Sequence, residues 1–112
     1  MRDYIHVADL ADAHLAALEH TGREDLAGPV VCNLGTSDGF SVRQVLAAAA
    51  EVVGRDIPLT VGERRAGDPP VLVASNARAR EVLGWEPRRS TLPEMLGSAW
   101  AWRRAHPDRY GD

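Results

Sequence analysis

The chain has 112 residues, with 16 acidic and 13 basic side chains, four histidines, one cysteine and 45% apolar residues. Its net charge of −3 gives no field that attracts a polyanion, so we expect neither nucleic-acid binding nor adhesion to acidic lipid. A single domain of this mass is expected to expose roughly 6,000 Å² of the about 17,700 Å² of the open chain, and so to bury about two-thirds of it.

The first half of the chain alternates predicted strands and helices. Polar and apolar side chains alternate over Arg2–Val7, which predicts a strand that begins without a lead-in. A helix is predicted from Asp9 to about His20, with Asp9 near the positive end of the helix dipole. Its apolar residues recur at helical spacing: Leu10, Ala13, Ala17 and Leu18. A polar loop, 21–29, precedes Val30–Leu34, a run typical of a strand buried on both faces.

The middle of the chain contains the clearest helix signal. Ser41 stands three residues before Gln44, as a capping box requires, and the predicted helix ends at Gly54. Its apolar stripe consists of Val42, Val45, Leu46, Ala49 and Val53. We predict a further strand over Pro58–Val61, followed by a loop over 62–70, where glycines and prolines prevent regular pairing.

Two helices are predicted in the last third. The first runs from about Asn76 to Leu83 and stops at Gly84, and the second begins at Thr91 with another capping box and stops before Pro107. The order of elements favours α/β architecture, yet three predicted strands without evident partners make a poor sheet. We therefore expect that part of the fold lies outside this chain.

Several kinds of site are excluded by residue type and spacing. Lysine is absent, which removes every mechanism that needs a Schiff-base or phosphate-loop lysine. The histidines at 6, 14, 20 and 106 show no one-turn spacing, so we predict no metal site. No two of the ten glycines lie two or three residues apart, so the dinucleotide loop Gly-x-Gly-x-x-Gly is missing. Gly62 and Gly67 match phosphate-loop spacing, but Asp68 and Pro69 stand where lysine and serine or threonine belong.

The cysteine count and the hydropathy pattern indicate the cellular compartment and whether the chain contains a membrane-spanning segment. Cys32 alone cannot form an intrachain disulfide, and the N-terminal residues contain no apolar run typical of a secretion signal. The longest strongly apolar stretch, 45–50, is far shorter than the roughly 20 residues that cross a bilayer. We expect a cytoplasmic protein without a membrane span.

One cluster of charges points to a ligand. Arg64, Arg65 and Asp68 lie within five residues in the loop held by Gly67 and two prolines. A guanidinium can bind phosphate oxygens with two parallel hydrogen bonds, and a nearby carboxylate can accept from ribose hydroxyls, so the cluster is a candidate nucleotide-diphosphate clamp. The alternative is a solvated loop with an Arg–Asp pair worth under about 1 kcal/mol. Arg2 has the same ambiguity, because it can point into a cleft or face water.

The motifs, taken together, resemble a known family. They are Arg2–His14, Asn33-Leu34-Gly35, Arg64–Pro69, Leu83-Gly84-Trp85 with Pro87, and Ala99–Trp102 with His106, Pro107 and Gly111. In this order, and over essentially the whole chain, they resemble the C-terminal third of the bacterial UDP-glucose 4-epimerase family, within the extended short-chain dehydrogenase/reductases. The arginine pair together with the double-tryptophan tail narrows the resemblance to this family.

The resemblance implies an NAD-dependent isomerase that interconverts UDP-glucose and UDP-galactose, with homodimers among full-length members. Arg2 and Arg65 would contact the UDP diphosphate, and Asp68 would accept from the uridine ribose. The family's catalytic Tyr-x-x-x-Lys has no match here, because Tyr4 is followed by Ala8 and no lysine exists. We therefore expect an inactive chain that binds no NAD by itself. Leu72, where some members have an aromatic residue near the sugar, leaves the sugar preference open.

The resemblance also implies a division of the chain. Residues 8–35 would end the NAD-binding domain of an extended Rossmann-type α/β enzyme, while 1–7 and 36–112 would form the UDP-sugar lobe. A truncated product, a fragment or a misplaced start is expected, and the isolated chain should be marginally stable and self-associating. Two alternatives remain. One is a stand-alone binding module that senses a UDP-sugar or completes an enzyme in trans, and the other is part of a sister nucleotide-sugar epimerase, dehydratase or decarboxylase.

The three tryptophans allow two interpretations. Trp85, Trp100 and Trp102 can stack on a uracil ring, but tryptophans at a helix end and in a tail more often anchor the packing of a lobe. We favour packing for all three.

Overall fold

The computed structural model describes residues 1–22 and 28–107. Four α-helices occur there: α1 (Val7–Thr21), α2 (Val42–Val53), α3 (Ala77–Leu83) and α4 (Leu92–Ala105). They confirm the four helices predicted from the sequence. The predicted polar loop 21–29 lies partly outside the described residues, and Gly111 of the tail motif lies wholly outside them.

The start of α1 corrects the first predicted strand. His6 is the N-cap of the helix, and its ring Nδ1 accepts a hydrogen bond from the Ala8 amide at 3.0 Å. Val7 is therefore already helical, and pairing in this segment is limited to two isolated bridges at Arg2, antiparallel with Phe40 and parallel with Leu72. A strand over Arg2–Val7 was wrong because a histidine side chain caps the backbone sooner than the polar–apolar alternation indicates.

The helix ends largely follow the predicted chemistry. The capping box of α2 is confirmed, with Ser41 Oγ accepting from the Gln44 amide at 3.2 Å and Gln44 Oε1 accepting from the Ser41 amide at 2.8 Å. Gly54 and Gly84 end α2 and α3 in the left-handed conformation. At α4 only half of the predicted box forms.

At α4, a hydrogen bond to Arg89 replaces the second hydrogen bond of the capping box. Thr91 Oγ1 accepts from the Glu94 amide at 3.4 Å, but the Glu94 carboxylate accepts from Arg89 Nε at 2.7 Å instead of turning back to the helix start. A charge-assisted hydrogen bond to a guanidinium is stronger than one to a neutral amide. The prediction of a full capping box at Thr91 was therefore wrong.

The other predicted strands are not formed either. Within the described parts of the chain, Val30–Leu34 and Pro58–Val61 belong to no β-ladder. A strand exists only through hydrogen bonds to a neighbour, so a strand-like sequence without a partner segment stays unpaired. The loop 62–70 has no helix or strand, as predicted. The coarse fold is thus mostly helical here.

The helices pack in two pairs, and the small buried core belongs to the α1–α3 pair. In the described residues, α1 packs on α3, and α2 packs on α4. The buried apolar core consists of Ala13, Ala79 and Trp85, with Ile5, Cys32, Leu34 and Leu83 packed against it. The chain exposes 8737 Å², well above the roughly 6,000 Å² expected of a compact protein. The expected two-thirds burial was therefore wrong, and about half is buried.

None of the four helices described has the length and apolar character needed to cross a bilayer.

Candidate functional site

Three chain segments meet at Arg2. The Arg2 amide donates to the Phe40 carbonyl at 2.9 Å, and the Phe40 amide donates back at 2.7 Å. On the other side, the Asp3 amide donates to the Leu72 carbonyl at 3.2 Å. Gly39 permits this approach, because its φ is 74° and an added Cβ would lie 2.7 Å from a Val73 methyl carbon. Arg2 is thereby fixed between the start of α2 and the end of the proline-rich loop.

Asp3 ties the same segments together through its side chain. Its Oδ1 accepts from the Thr36 amide at 2.9 Å and from the Thr36 hydroxyl at 2.6 Å, and its Oδ2 accepts from the Ala74 amide at 3.0 Å. Burial alone would raise the pKa of Asp3, but these hydrogen bonds outweigh burial and hold its pKa below the ordinary value. Asp3 therefore remains a carboxylate, and its hydrogen bonds hold together the chain segments that carry the site.

The Arg2 guanidinium is aimed at the loop. Its Nη2 forms an ion pair with Asp68 Oδ1 at 2.5 Å, and its Nη1 donates to the Pro69 carbonyl at 3.0 Å. Both side chains are about one-third exposed. The structure thus brings two of the predicted site residues, separated by 66 positions, into direct contact at the surface.

Arg65 and Arg64 complete the cluster around Asp68. Arg65 Nη2 lies 3.6 Å from Asp68 Oδ2, and 85% of the Arg65 side chain is exposed. Arg64 Nη2 donates to the main-chain carbonyl of Asp68 at 3.0 Å, and Gly67 has a φ of 79° that closes the turn. All three residues predicted to bind the substrate, Arg2, Arg65 and Asp68, therefore lie together.

The cluster has the charge of an anion site. The guanidinium groups of Arg2 and Arg65 face the carboxylate of Asp68, and that of Arg64 bonds its main-chain carbonyl. With Glu63 of the same loop counted, these side chains have a local excess of one positive charge in a chain whose net charge is −3. The exposed Arg65 side chain can move without breaking a buried contact. Guanidinium groups with unused donors are suited to a phosphate or a diphosphate.

Sequence reasoning missed a second network, centred on Asp9. This side chain is 1% exposed and accepts from Ser90 Oγ at 2.5 Å, from the Arg88 amide at 3.1 Å and from the Arg89 amide at 3.0 Å. Burial would raise the pKa of Asp9, but these hydrogen bonds lower it below the ordinary value. The sequence placed Asp9 near the start of a helix, but it gave no sign of the hydrogen-bond donors. They lie 79 to 81 residues further along the chain and form no local sequence pattern with Asp9.

His6 and Ser98 form a hydrogen-bonded pair that is structural. His6 Nε2 lies 3.0 Å from Ser98 Oγ, whose hydroxyl donates to the Met95 carbonyl at 3.0 Å. Because His6 Nδ1 accepts from the Ala8 amide, the ring proton is assigned to Nε2, which donates to Ser98. A histidine in this state cannot take the proton of that serine, so the pair is no hydrolytic dyad.

The aromatic side chains and Leu72 have distinct positions. Trp85 is buried and its Nε1 donates to the Asp9 carbonyl at 2.9 Å, which confirms the packing interpretation for this residue. Trp100 is on α4 and lines a pocket that α2 residues also line, and the Trp102 ring stacks on His106 with ring centroids 4.6 Å apart. Leu72 is exposed beside the Arg2 backbone.

Comparison with known proteins identifies a consistent set of relatives. The chain is 50% identical over 113 aligned residues to a UDP-glucose 4-epimerase of Streptomyces lividans, covering 100% of this chain and 33% of that protein. A crystal structure of a UDP-glucose 4-epimerase matches 99% of this chain and 33% of its own, with 41% identity and a TM-score of 0.90. The structure from Bifidobacterium longum in complex with NAD+ and UDP matches 96% of this chain and 31% of its own, at 37% identity and a TM-score of 0.85.

These matches define the extent of the similarity. No family model matches the chain. The chain spans about a third of the length of the relatives it matches, and the matched part is their C-terminal third. The resemblance found in the sequence is therefore confirmed at this extent.

Proposed function

We propose that this chain, which matches the C-terminal third of UDP-glucose 4-epimerases, carries the UDP-binding part of a nucleotide-sugar epimerase. The observation that carries the proposal is the convergence of Arg2, Arg65 and Asp68 at one surface turn, in a chain 50% identical to such an enzyme. Arg2 and Arg65 bind the diphosphate, and Asp68 accepts hydrogen bonds from the uridine ribose.

The structure supports a division of labour between these residues. The Arg2–Asp68 ion pair fixes one guanidinium and one carboxylate in place before ligand binds, while Arg65 is free to close over an incoming phosphate. A pre-positioned pair with one mobile arginine lowers the ordering cost of binding, because only one long side chain must be immobilised. Leu72, exposed at the same place, leaves more room near the sugar than an aromatic residue.

The proposal extends to the domain division and the α/β architecture of the complete enzyme. Residues 8–35 belong to the NAD-binding domain, and 1–7 with 36–112 form the UDP-sugar lobe of an extended Rossmann-type fold. NAD is the cofactor of the complete enzyme, but the residues present here do not fit it. They include no dinucleotide loop and no lysine, so turnover requires the rest of the enzyme.

Calorimetry of UDP binding tests the proposal. The 112-residue chain is joined to the N-terminal two-thirds of the Streptomyces lividans relative, and UDP is titrated into the wild-type and variant proteins. Arg65→Ala should weaken UDP binding by about 1.5 to 3 kcal/mol, the range for loss of a charged hydrogen bond. Asp68→Asn should weaken UDP binding more than inorganic pyrophosphate binding, because the loss of the ribose acceptor affects UDP alone, whereas the altered Arg2 ion pair affects both ligands.

The matched control is Arg43→Ala. Arg43 is an exposed arginine on α2 and not part of the loop 62–70. Its removal changes the net charge by the same amount. UDP affinity should stay at the wild-type value in this variant. Equal UDP binding by wild type and Arg65→Ala would remove Arg65 from the site, and equal losses in Arg65→Ala and Arg43→Ala would reduce its role to net charge.

A further inference from the structure

The carboxylate of Asp3 connects the two segments on either side of Arg2. One of its oxygens accepts both hydrogen bonds from Thr36, and the other accepts the hydrogen bond from the Ala74 amide. Thr36 lies 33 residues and Ala74 lies 71 residues further along the chain. A single side chain therefore holds together three segments that are distant in the sequence.

On one side, Asp3 organises the turn 36–40. The Thr36 hydroxyl that donates to Asp3 also accepts from the Gly39 amide at 3.3 Å. The residue after Gly39 is the one whose main chain exchanges two hydrogen bonds with Arg2. The position of the Arg2 main chain thus depends on a turn that the Asp3 carboxylate holds.

On the other side, Asp3 fixes the end of the loop 62–70. Just beyond that loop, the Leu72 carbonyl accepts from the Asp3 amide at 3.2 Å, and the Ala74 amide donates to the Asp3 carboxylate at 3.0 Å. These two hydrogen bonds hold the end of the loop beside Arg2, whose guanidinium forms an ion pair with the loop carboxylate.

The surroundings of Asp3 fit a carboxylate closely. An added Cβ on Gly35 would overlap Asp3 Oδ2 and lie 2.8 Å from the Ala74 Cβ, so the missing side chain of Gly35 leaves the space that the carboxylate occupies. The two main-chain amides that bind Asp3 donate to different oxygens. In Asp3→Asn, either orientation of the new amide would therefore turn an N–H group toward a main-chain N–H group.

We propose that Asp3 is a positioning residue for UDP binding: it holds the turn 36–40 and the loop 62–70 on Arg2, and thereby brings the three residues of the UDP site together. The inference rests on the UDP site proposed above and adds a residue that acts on it through Arg2 and the loop. An effect of net charge alone would have the opposite sign, because removal of a negative side chain beside an anion site strengthens anion binding.

Calorimetry with UDP, in the joined protein described above, tests this role. Asp3→Asn should weaken UDP binding about tenfold at a temperature well below the Tm of every variant. Asp9→Asn is the matched control, since Asp9 also accepts from two amides and one hydroxyl, but from the turn 88–90. It removes the same charge and the same kinds of hydrogen bond, and UDP affinity should stay at the wild-type value. Gly35→Ala, which changes no charge, should weaken UDP binding as Asp3→Asn does.

A double variant shows whether Asp3 acts through Arg2. Arg2→Ala removes the guanidinium that Asp3 positions, so the addition of Asp3→Asn should weaken UDP binding by less than about threefold in that background. Losses that multiply in the double variant would overturn the proposal. So would an equal loss in Asp9→Asn, or UDP binding by Asp3→Asn that is as tight as in the wild type or tighter.

Limited proteolysis of the 112-residue chain tests the same role without UDP. Trypsin cleaves after arginine, so Arg64 and Arg65 report on the loop, and Arg104 near the end of α4 is the internal reference. Asp3→Asn should raise the initial rate of loop cleavage at least about fivefold relative to cleavage after Arg104, because the end of the loop is released. An unchanged ratio would show that Asp3 does not hold the loop. If Arg65→Ala leaves UDP binding unchanged, the UDP site is wrong, and this ratio still decides whether Asp3 holds the loop.

Discussion

Asp9 shows how much one side chain contributes to holding two parts of the chain together. It is the one fully buried large side chain among the described residues, and it accepts hydrogen bonds from two consecutive amides and the hydroxyl of the 88–90 turn. Trp85 binds the carbonyl of the same residue. The turn before α4 is therefore fixed to the start of α1 by one carboxylate.

Asp9→Asn should destabilise the chain by about 3 kcal/mol, because the amide group turns an N–H donor toward donors that are left unpaired. Urea denaturation followed by circular dichroism measures the change. Asp12→Asn is the matched control, since Asp12 is an exposed acid on the same helix, and it should cost under about 0.5 kcal/mol. Similar losses in both variants would show that the helix dipole, not the turn, accounts for the effect.

The two supporting carboxylates make stability depend on pH in a definite direction. The pKa values of Asp3 and Asp9 lie below the ordinary value, so the folded chain binds fewer protons than the unfolded chain at low pH. Their contribution is complete above the ordinary carboxylate pKa, near pH 4, and is lost as the pH falls through their folded-state values.

Urea midpoints should therefore fall as the pH is lowered from about 6 to about 2, mainly in the part below pH 4. Asp9→Asn should flatten this dependence, because its side chain no longer titrates. A wild-type midpoint that stays constant down to pH 2 would contradict the lowered pKa values.

Residues of the candidate site were accessible to sequence reasoning for a physical reason. Arg64, Arg65 and Asp68 lie within five positions, so chemistry and proximity were both visible. The contact of Arg2 with Asp68 spans 66 positions, and only the family resemblance placed them in one site. The hydrogen bonds of Asp9 and His6 could not be predicted in this way, because their partners, at positions 88–90 and at Ser98, are residue types that are common in turns and helices.

At the scale of elements, helices were predictable and strands were not. A helix satisfies its backbone within a few residues, so caps such as Ser41 and stops such as Gly54 and Gly84 determine its ends locally. A strand has no local partner, and Val30–Leu34 has the composition of a strand but pairs with no neighbour among residues 1–22 and 28–107. Composition alone therefore predicts the tendency of a segment to pair, but not whether a partner is present.

The two helix starts differ in completeness, which gives a matched comparison. Ser41→Ala should destabilise the chain by about 1 kcal/mol, since it removes the acceptor of a complete capping box. Thr91→Ala should cost clearly less, because its hydrogen bond is 3.4 Å long and Glu94 does not reciprocate.

Thermal denaturation of both variants measures the difference, with Ser41→Thr as the control that keeps a hydroxyl cap and most of the stability. Equal losses at the two positions would mean that the second hydrogen bond of the box contributes nothing at α2.

For the whole molecule, the relation between size and surface is unusual. The radius of gyration is 17.4 Å, compared with about 13 Å for a compact domain of this length. The surface of 8737 Å² leaves about 9,000 Å² buried on folding, whereas a compact chain of equal mass would bury about 11,700 Å². The elongated shape and the large surface have the same cause, since the buried core of the described residues is small and includes no residue of α2 or α4.

This deficit should appear in the denaturant dependence of unfolding. The slope of unfolding free energy against urea concentration scales with the area exposed on unfolding, so it should be about three-quarters of the value for compact domains of the same length. The measurement is made at concentrations where sedimentation shows a monomer, because exposed apolar side chains such as Val7, Leu18 and Val31 favour self-association at higher concentration. A slope equal to that of compact domains, with a monomer at all concentrations, would contradict this prediction. It would mean that the chain in solution buries more surface than the structure does.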